Sequence, residues 1–340
     1  MLNHIEPLLG KTSQELQAIA QEVGLPRFAG KQLAEWLYVR RATTFDEMTN
    51  ISLKGREALK ERYTIGRHAP IAEAISKDGT KKYLFQIGEQ FVESVYLPED
   101  DRATLCVSTQ AGCKMGCKFC MTGTLGFHGH LAAADILNQI FSIPDADTLT
   151  NIVYMGEGEP MDNLDNVLRS LEAMTSPWGC AWSPKRITIS SVGINKGLKR
   201  FIEESECHLA ISLHNPFAVE RQNIMPIEKV NHLSDVIALL KQYDWSHQRR
   251  VSFEYICWGG VNDTAKHANE LVRILKGLDC RINLIRFHAG VDQSFPNSNE
   301  KQMEWMRDYL TTKGITTTIR RSRGEDILAA CGMLVNALKS

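Results

Sequence analysis

Between residues 103 and 320, short apolar runs alternate with amphipathic stretches, and this alternation organises most of the chain. The runs Ala103–Thr109, Asn151–Met155, Arg186–Ser191, His208–His214, Arg249–Ile256, Arg281–Arg286 and Ile315–Arg320 have strand length and are almost continuously apolar. Strands of that kind are covered on both faces. Between them, Ala132–Ile143, Leu164–Met174, Leu233–Tyr243, Ala265–Leu278 and Gln302–Thr312 carry apolar residues at helical spacing. Repeated βα units predict an α/β fold with a parallel sheet curled into a full or partial barrel. In such folds the working groups sit at the C-terminal strand ends.

The preceding residues have a different texture. In residues 1–72, Thr12 and Glu15 have capping-box spacing, and Leu16, Ile19, Ala20 and Val23 follow on one helical face. Gly24 and Pro26 stop that helix. Leu33, Trp36 and Leu37 mark a second helix, and Leu53 to Leu59 a third. Ten Lys/Arg stand against eight Asp/Glu here. The module suits an RNA-contacting accessory domain or, equally, a packing cap. Residues 73–102 hold two β-rich runs, KKYLFQI and FVESVYL, separated by Gly88 and Glu89. They predict a hairpin linking the module to residues 103–340.

Composition narrows the class. The chain has 340 residues, 43% apolar and 23% charged, which suits a globular enzyme with a sizeable core. A net charge of −1 announces no nucleic-acid partner, so any basic surface is local. The N-terminus lacks a charged segment followed by a long apolar run, and no stretch has the length of a membrane span. Nine cysteines in such a chain read as reduced thiols or metal ligands, and the cytoplasm is the expected location.

Unusual residues follow the predicted strands. After the first comes the Cys-x3-Cys-x2-Cys motif of Cys113, Cys117 and Cys120, with Phe119 and four glycines nearby. Three thiolates without a fourth neighbouring ligand fit structural zinc poorly. They suit a 4Fe-4S cluster with one iron left open to a ligand. After the second strand come Gly156, Gly158 and Glu159, a turn permitting close backbone approach and offering a carboxylate. Ser190 and Ser191 end the third, Ser212, Leu213 and His214 the fourth, and Arg286, Phe287 and His288 the sixth. Two more cysteines stand apart: Cys106 on the first strand, and Cys331 in the Arg-rich, Gly-flanked tail, where a cationic setting favours a thiolate. Cys180, Cys207, Cys257 and Cys280 read as small buried hydrophobes. The basic groups Lys185–Arg186, Lys199–Arg200, Arg249–Arg250 and Arg320–Arg321 with Arg323 would bind phosphate if they rimmed one barrel mouth.

These motifs together resemble the RlmN/Cfr family of radical SAM adenine methyltransferases, and more closely the RlmN type. The resemblance runs over nearly the whole chain, through LPRFAGKQLAEWLY, FDEMTNIS, VESVYLPEDDRATLCVSTQAGCKMGCKFCMTG, ISLHNP, RINLIR and RGEDILAACG. It implies a partial (β/α)6 TIM-type radical SAM barrel that methylates carbon 2 of an adenine in 23S rRNA and of adenosine 37 in tRNA. It implies a [4Fe-4S] cluster on Cys113, Cys117 and Cys120. SAM would be contacted by Gly158, Glu159, Ser190, Ser212, Leu213 and His214, and two SAM molecules would be used per turnover. Cys331 would carry the methyl group and Cys106 would be the second thiol, the two ending in a disulfide. Glu93 would be a proton acceptor or base-positioning carboxylate. A flavodoxin-like or ferredoxin-like electron donor and a monomeric enzyme are also expected. Two positions depart from the family pattern: Glu157 replaces a usual Met, and His288 replaces a SAM-contacting Asn. A Cfr-type carbon-8 methyltransferase is the near alternative, from which Glu159–Pro160 and the full N-terminal module lean away. A non-catalytic zinc-dependent RNA-binding protein is the distant one.

Overall fold

The computed structural model describes residues 5–246, 249–287 and 295–334. Its first element, strand β1 (Glu6–Pro7), pairs in parallel with β2 (Tyr63–Thr64) and ties the ends of the N-terminal module together. Three helices lie between them: α1 (Ser13–Glu22), α2 (Ala29–Ala34) and α3 (Leu53–Lys60). The capping box forms as expected, with Thr12 N–H donating to Glu15 Oε2 at 2.7 Å and Glu15 N–H to Thr12 Oγ1 at 3.3 Å. The second helix runs on through a wide turn, Glu35–Val39, that the apolar spacing did not indicate.

The predicted hairpin is built from β4 (Lys81–Ile87) and β5 (Gln90–Pro98) around Gly88–Glu89, with β3 (Ala72–Ile75) on its outer edge. It belongs to the barrel sheet, because β5 pairs antiparallel with β6 (Ala103–Cys106), the first barrel strand. A small ribbon, β7 (Gln110–Gly112) with β8 (Phe127–His130), brackets the cysteine loop. The alternation then proceeds through α4 (Ala133–Phe141), β9 (Asn151–Tyr154), α5 (Leu164–Thr175), β10 (Ile187–Ser191), α6 (Asn195–Glu204), β11 (His208–Ser212), α7 (Ala218–Ile224), α8 (Leu233–Leu240), β12 (Val251–Cys257), α9 (Ala265–Leu275), β13 (Cys280–Arg286), α10 (Glu300–Thr312) and β14 (Thr316–Arg320). Strands β6, β9, β10, β11, β12, β13 and β14 pair in parallel in chain order. That makes six β/α units and a closing strand, with the antiparallel hairpin continuing the sheet at the β6 edge.

Several strands end earlier than their apolar runs, β6 at Cys106 and β11 at Ser212. The chain leaves the ladder where the mouth loops begin. One apolar cluster spans barrel and module, joining Leu33, Trp36, Leu37 and Tyr38 to Ile136, Ile140, Phe141 and Met174. Each fully buried side chain of this size contributes about 1.5–3 kcal/mol. Ion pairs lock the same seam, Arg169 to Glu15 and Arg41 to Asp147, each at 2.9 Å. The module therefore packs against the helical shell of the barrel. Among the described residues, no helix is long and apolar enough to cross a membrane.

Candidate active site

The cysteine loop is held by backbone geometry that glycine alone supplies. Gly112 has φ +68°, and a Cβ there would stand 1.9 Å from the Gly126 carbonyl oxygen. That close approach lets Cys113 N–H donate to Gly126 O at 2.8 Å. Lys118 N–H reaches Ile224 O at the end of α7, and Met121 N–H donates to Gly332 O at 2.7 Å. The C-terminal segment thus docks on the cysteine loop, reinforced by Thr122 Oγ1 donating to Leu334 O at 2.9 Å.

The three cysteines line an open cavity at the C-terminal strand ends. Gly158, Glu159, Ser190, Ser212 and His214 line it too, as expected from the sequence. Gly158, at φ +96°, has the side chain of Gln110 where a Cβ would go. Glu159 is sealed in: its Oε1 accepts from Ser191 Oγ at 2.7 Å and Met161 N–H at 3.0 Å, and its Oε2 from Val192 N–H at 2.9 Å. Burial raises its pKa to about 7, against the pull of these hydrogen bonds. His214 Nδ1 accepts Ile256 N–H at 3.1 Å, and burial lowers the ring's pKa to about 3. The ring is therefore neutral, with its proton on Nε2 as a donor.

Leu213 does not reach this cavity. Its side chain is fully buried, and only its backbone serves the site, with N–H donating to Glu254 O at 3.0 Å. Glu93 is not among the residues lining this cavity or its neighbour. It is completely buried on β5, 3.0 Å from the equally buried Lys82 Nζ. Glu157, the departure from the family pattern, sits beside it. Its Oε1 accepts Glu93 N–H at 2.8 Å and its Oε2 accepts Gly112 N–H at 3.3 Å, coupling β5 to the cysteine loop. His288 lies outside the described residues.

A second open cavity adjoins the first. Cys106 lines it. Cys331, exposed, lines both, as do Cys120, Met155, Ile285 and Arg320. Arg320, at the end of β14, places a positive charge near both sulfurs, and its Nη1 lies 3.3 Å from Glu254 Oε2. Burial, with the neighbouring Cys331 sulfur, pushes the Cys106 thiol up to about 12. All nine cysteines are free thiols, and Cys207, Cys257 and Cys280 are buried.

Sequence reasoning missed two supports of this mouth. Glu254 breaks the apolar run of β12, a signal that was present but unread. Arg221 is wholly buried behind the cavity: it pairs with Glu228 and donates to Leu213 O, Ser212 O and Val192 O at 2.9–3.0 Å. Nothing in its local sequence distinguishes it from a surface arginine.

The donor set suits a cluster better than a single ion. Cys113, Cys117 and Cys120 share one cavity and offer three sulfur ligands, the set a 4Fe-4S cluster takes when one iron is left open. Burial raises all three thiol pKa values, with neighbouring sulfurs adding to it at Cys117 and Cys113, so ionising them calls for a cationic group between them.

A parallel barrel with three cysteines at its mouth, beside glycine and carboxylate groups suited to a nucleoside ligand, is the working end of a radical SAM enzyme, and residues 107–292 match the Radical SAM superfamily. Residues 7–65 match the ribosomal RNA large subunit methyltransferase N-terminal domain. A Bacteroides thetaiotaomicron protein named "Probable dual-specificity RNA methyltransferase RlmN" is 57% identical over 97% of this chain and 96% of its own. A Nitratidesulfovibrio vulgaris "Dual-specificity RNA methyltransferase RlmN" is 40% identical, covering 96% and 94%. The crystal structure of a radical SAM methyltransferase from Sphaerobacter thermophilus superposes with TM-score 0.91 at 34% identity, over 97% of this chain and 99% of that one. The chain belongs to the RlmN family of radical SAM RNA methyltransferases. With that membership come an iron–sulfur cluster and SAM, for which the mouth residues are suited.

Proposed function

We propose that this enzyme methylates carbon 2 of an adenine in 23S rRNA and of adenosine 37 in tRNA, with Cys331 as methyl carrier and two SAM molecules consumed per turnover. The observation that carries this reading is the position of Cys331. Its thiol lies on the boundary of two cavities, one holding the cluster cysteines and the SAM-facing groups, the other holding Cys106.

Carbon 2 of adenine is electron-poor and does not attack a sulfonium methyl, so the chain must carry the methyl on a group of its own. Cys331, facing the first cavity, takes a methyl from SAM by displacement. Cys113, Cys117 and Cys120 would hold the iron–sulfur cluster, which would supply the electron needed to make a hydrogen-atom abstractor from a second SAM. Activated by loss of one hydrogen atom, the S-methyl group of Cys331 bonds to carbon 2 of a base seated in the second cavity. The adduct gives up one electron to the electron-transfer partner and its carbon 2 proton to the Cys106 thiolate; Cys106 then attacks the Cys331 sulfur, its proton passing to the released carbon, so that the methylated base leaves and a disulfide remains. Burial keeps Cys106 protonated at rest, and Arg320 is the cation placed to favour its thiolate. His214 donates from Nε2, and Glu159 with Ser190 and Ser212 offers acceptors to SAM. Glu93 acts from behind the site through Lys82 and the backbone of β5 rather than by touching the base.

The N-terminal module contacts the RNA, a flavodoxin-like or ferredoxin-like protein donates the electron, and the enzyme works as a cytoplasmic monomer. The test is an anaerobic assay of reconstituted protein with SAM on protein-free rRNA and tRNA, scored by mass spectrometry of nucleosides. 2-Methyladenosine is expected. 8-Methyladenosine would reassign the carbon, and an unmethylated product would reject the activity.

A further inference from the structure

The segment that follows β14 and carries Cys331 is fixed on both sides of that residue. Beyond Cys331 it is tied to the cysteine loop through Gly332 O and Leu334 O. Before Cys331 it is tied to the turn of residues 76–80 that joins β3 to β4, the outermost pair of strands in the sheet.

This second tie is reciprocal. Asp78, in the turn, accepts Gly324 N–H of the segment on Oδ2 at 3.0 Å, while its Oδ1 accepts Thr80 N–H at 2.9 Å. Asp326, in the segment, accepts Lys77 N–H of the turn on Oδ2 at 3.2 Å and the Ser76 hydroxyl on Oδ1 at 2.5 Å. The same hydroxyl accepts Asp78 N–H at 3.3 Å, and Arg323 Nη1 donates to Asp78 O at 3.3 Å. Hydrogen bonds to a carboxylate are the strong kind, and here each element supplies a carboxylate to the backbone of the other.

The tie reaches Cys331 in short steps. Gly324 O accepts Ala329 N–H at 2.8 Å, closing a turn around Glu325–Ile327. Leu328 stands at φ +54°, a left-handed conformation that leucine holds only under constraint, and Lys82 Nζ donates to its carbonyl at 3.4 Å. Ala329 and Leu334 pack with Val95 against Leu97, Cys106 and Ile327. Cys331 itself is exposed, so its place is set by these anchors and not by burial of its own side chain.

We infer that Asp78 and Asp326 are positioning residues for Cys331: by clasping the segment to the β3–β4 turn, they hold its thiol on the cavity wall that it shares with Cys106. A thiol on an untied segment points in many directions, and fixing the segment raises its effective concentration at the second sulfur. This rests on the proposed reaction, in which Cys106 must reach the Cys331 sulfur, and both carboxylates act through Cys331.

The measurement is the effective concentration of the two thiols in glutathione redox buffers. Reconstituted protein is held anaerobically without SAM or RNA, and the Cys106–Cys331 disulfide is quantified by mass spectrometry. Each oxidation consumes one glutathione disulfide, forms one protein disulfide and releases two glutathione thiols. The Asp78→Asn, Asp326→Asn variant keeps both side-chain shapes but puts an amide donor where a carboxylate oxygen accepted. Its effective concentration should fall at least about tenfold at wild-type iron content. Ser76→Ala removes only the shared hydroxyl and should lower it about threefold; this variant decides if the double variant loses iron. An unchanged equilibrium in the deciding variant overturns the clasp, as does a wild-type pair that forms no disulfide. Wild-type protein that forms the disulfide but no methyladenosine on RNA would instead refute the proposed reaction and leave the clasp standing.

Discussion

Lys82 Nζ lies 3.0 Å from Glu93 Oε1, and both side chains are sealed from solvent on adjacent strands of the hairpin. Lys82 Nζ also donates to Leu328 O at 3.4 Å, three residues before Cys331. The pair therefore joins the sheet to the C-terminal segment. Removing one buried charge of such a pair strands the other. Lys82→Met should cost about 3–5 kcal/mol of stability, and adding Glu93→Gln should recover most of that loss. Chemical denaturation of both variants checks this, and equal losses in the two would show that the pair is not coupled.

Glu157 supplies a pH dependence. Burial, with the nearby Glu93 carboxylate adding to it, raises its folded pKa to about 8 from an ordinary 4.5. The folded state holds this proton more tightly than the unfolded state. Its contribution to stability is therefore full below about pH 4.5 and is lost as pH rises towards 8. Glu157→Gln keeps an acceptor for Glu93 N–H and removes the titration. The melting temperature of the variant should match wild type near pH 5 and exceed it increasingly from pH 6 to 9. A pH-independent gap would contradict this assignment. Glu159 titrates in both proteins and does not affect the comparison.

Two glycines of the cysteine loop should respond differently to alanine. At Gly112 a Cβ would collide with the Gly126 carbonyl, whereas at Gly126 nothing lies within 4 Å and only the positive φ opposes the change. Gly126→Ala should cost about 1–2 kcal/mol and still bind iron. Gly112→Ala must displace the loop that carries Cys113, and should lose most of its bound iron and the associated visible absorbance. Iron content per chain measures both.

The two thiols make distinct predictions under the proposed chemistry. Cys331→Ala should retain iron and lose RNA methylation altogether. Cys106→Ala should accumulate a covalent protein–RNA adduct, visible as a shifted band on a denaturing gel, because nothing resolves the bond to the base. Wild-type turnover by either variant would remove that residue from the mechanism.

Much of the site was legible because its chemistry sits in short motifs at strand ends. Cys113, Cys117 and Cys120 share a loop, and Gly158, Glu159, Ser190, Ser212 and His214 each follow a strand that the apolar runs had marked. What escaped were groups whose meaning depends on distant neighbours. Arg221 reads as a surface arginine until three carbonyls and Glu228 surround it. Glu93, expected near the chemistry, is withdrawn behind it by Lys82. The hairpin, expected to link two domains, continues the barrel sheet because β5 finds β6 as a partner.

The sequence alone determined the alternation of strands and helices, the side on which the cysteines and glycines would gather, and the family resemblance, since periodicity and contiguous motifs are local properties of a chain. Only the tertiary structure decided which residues meet across long separations. It brought Cys106 and Cys331 to one cavity and set Arg320 between two. Such meetings depend on how strands pair and where the last segment docks, and those contacts are made by packing and hydrogen bonds between parts of the chain that no local pattern connects.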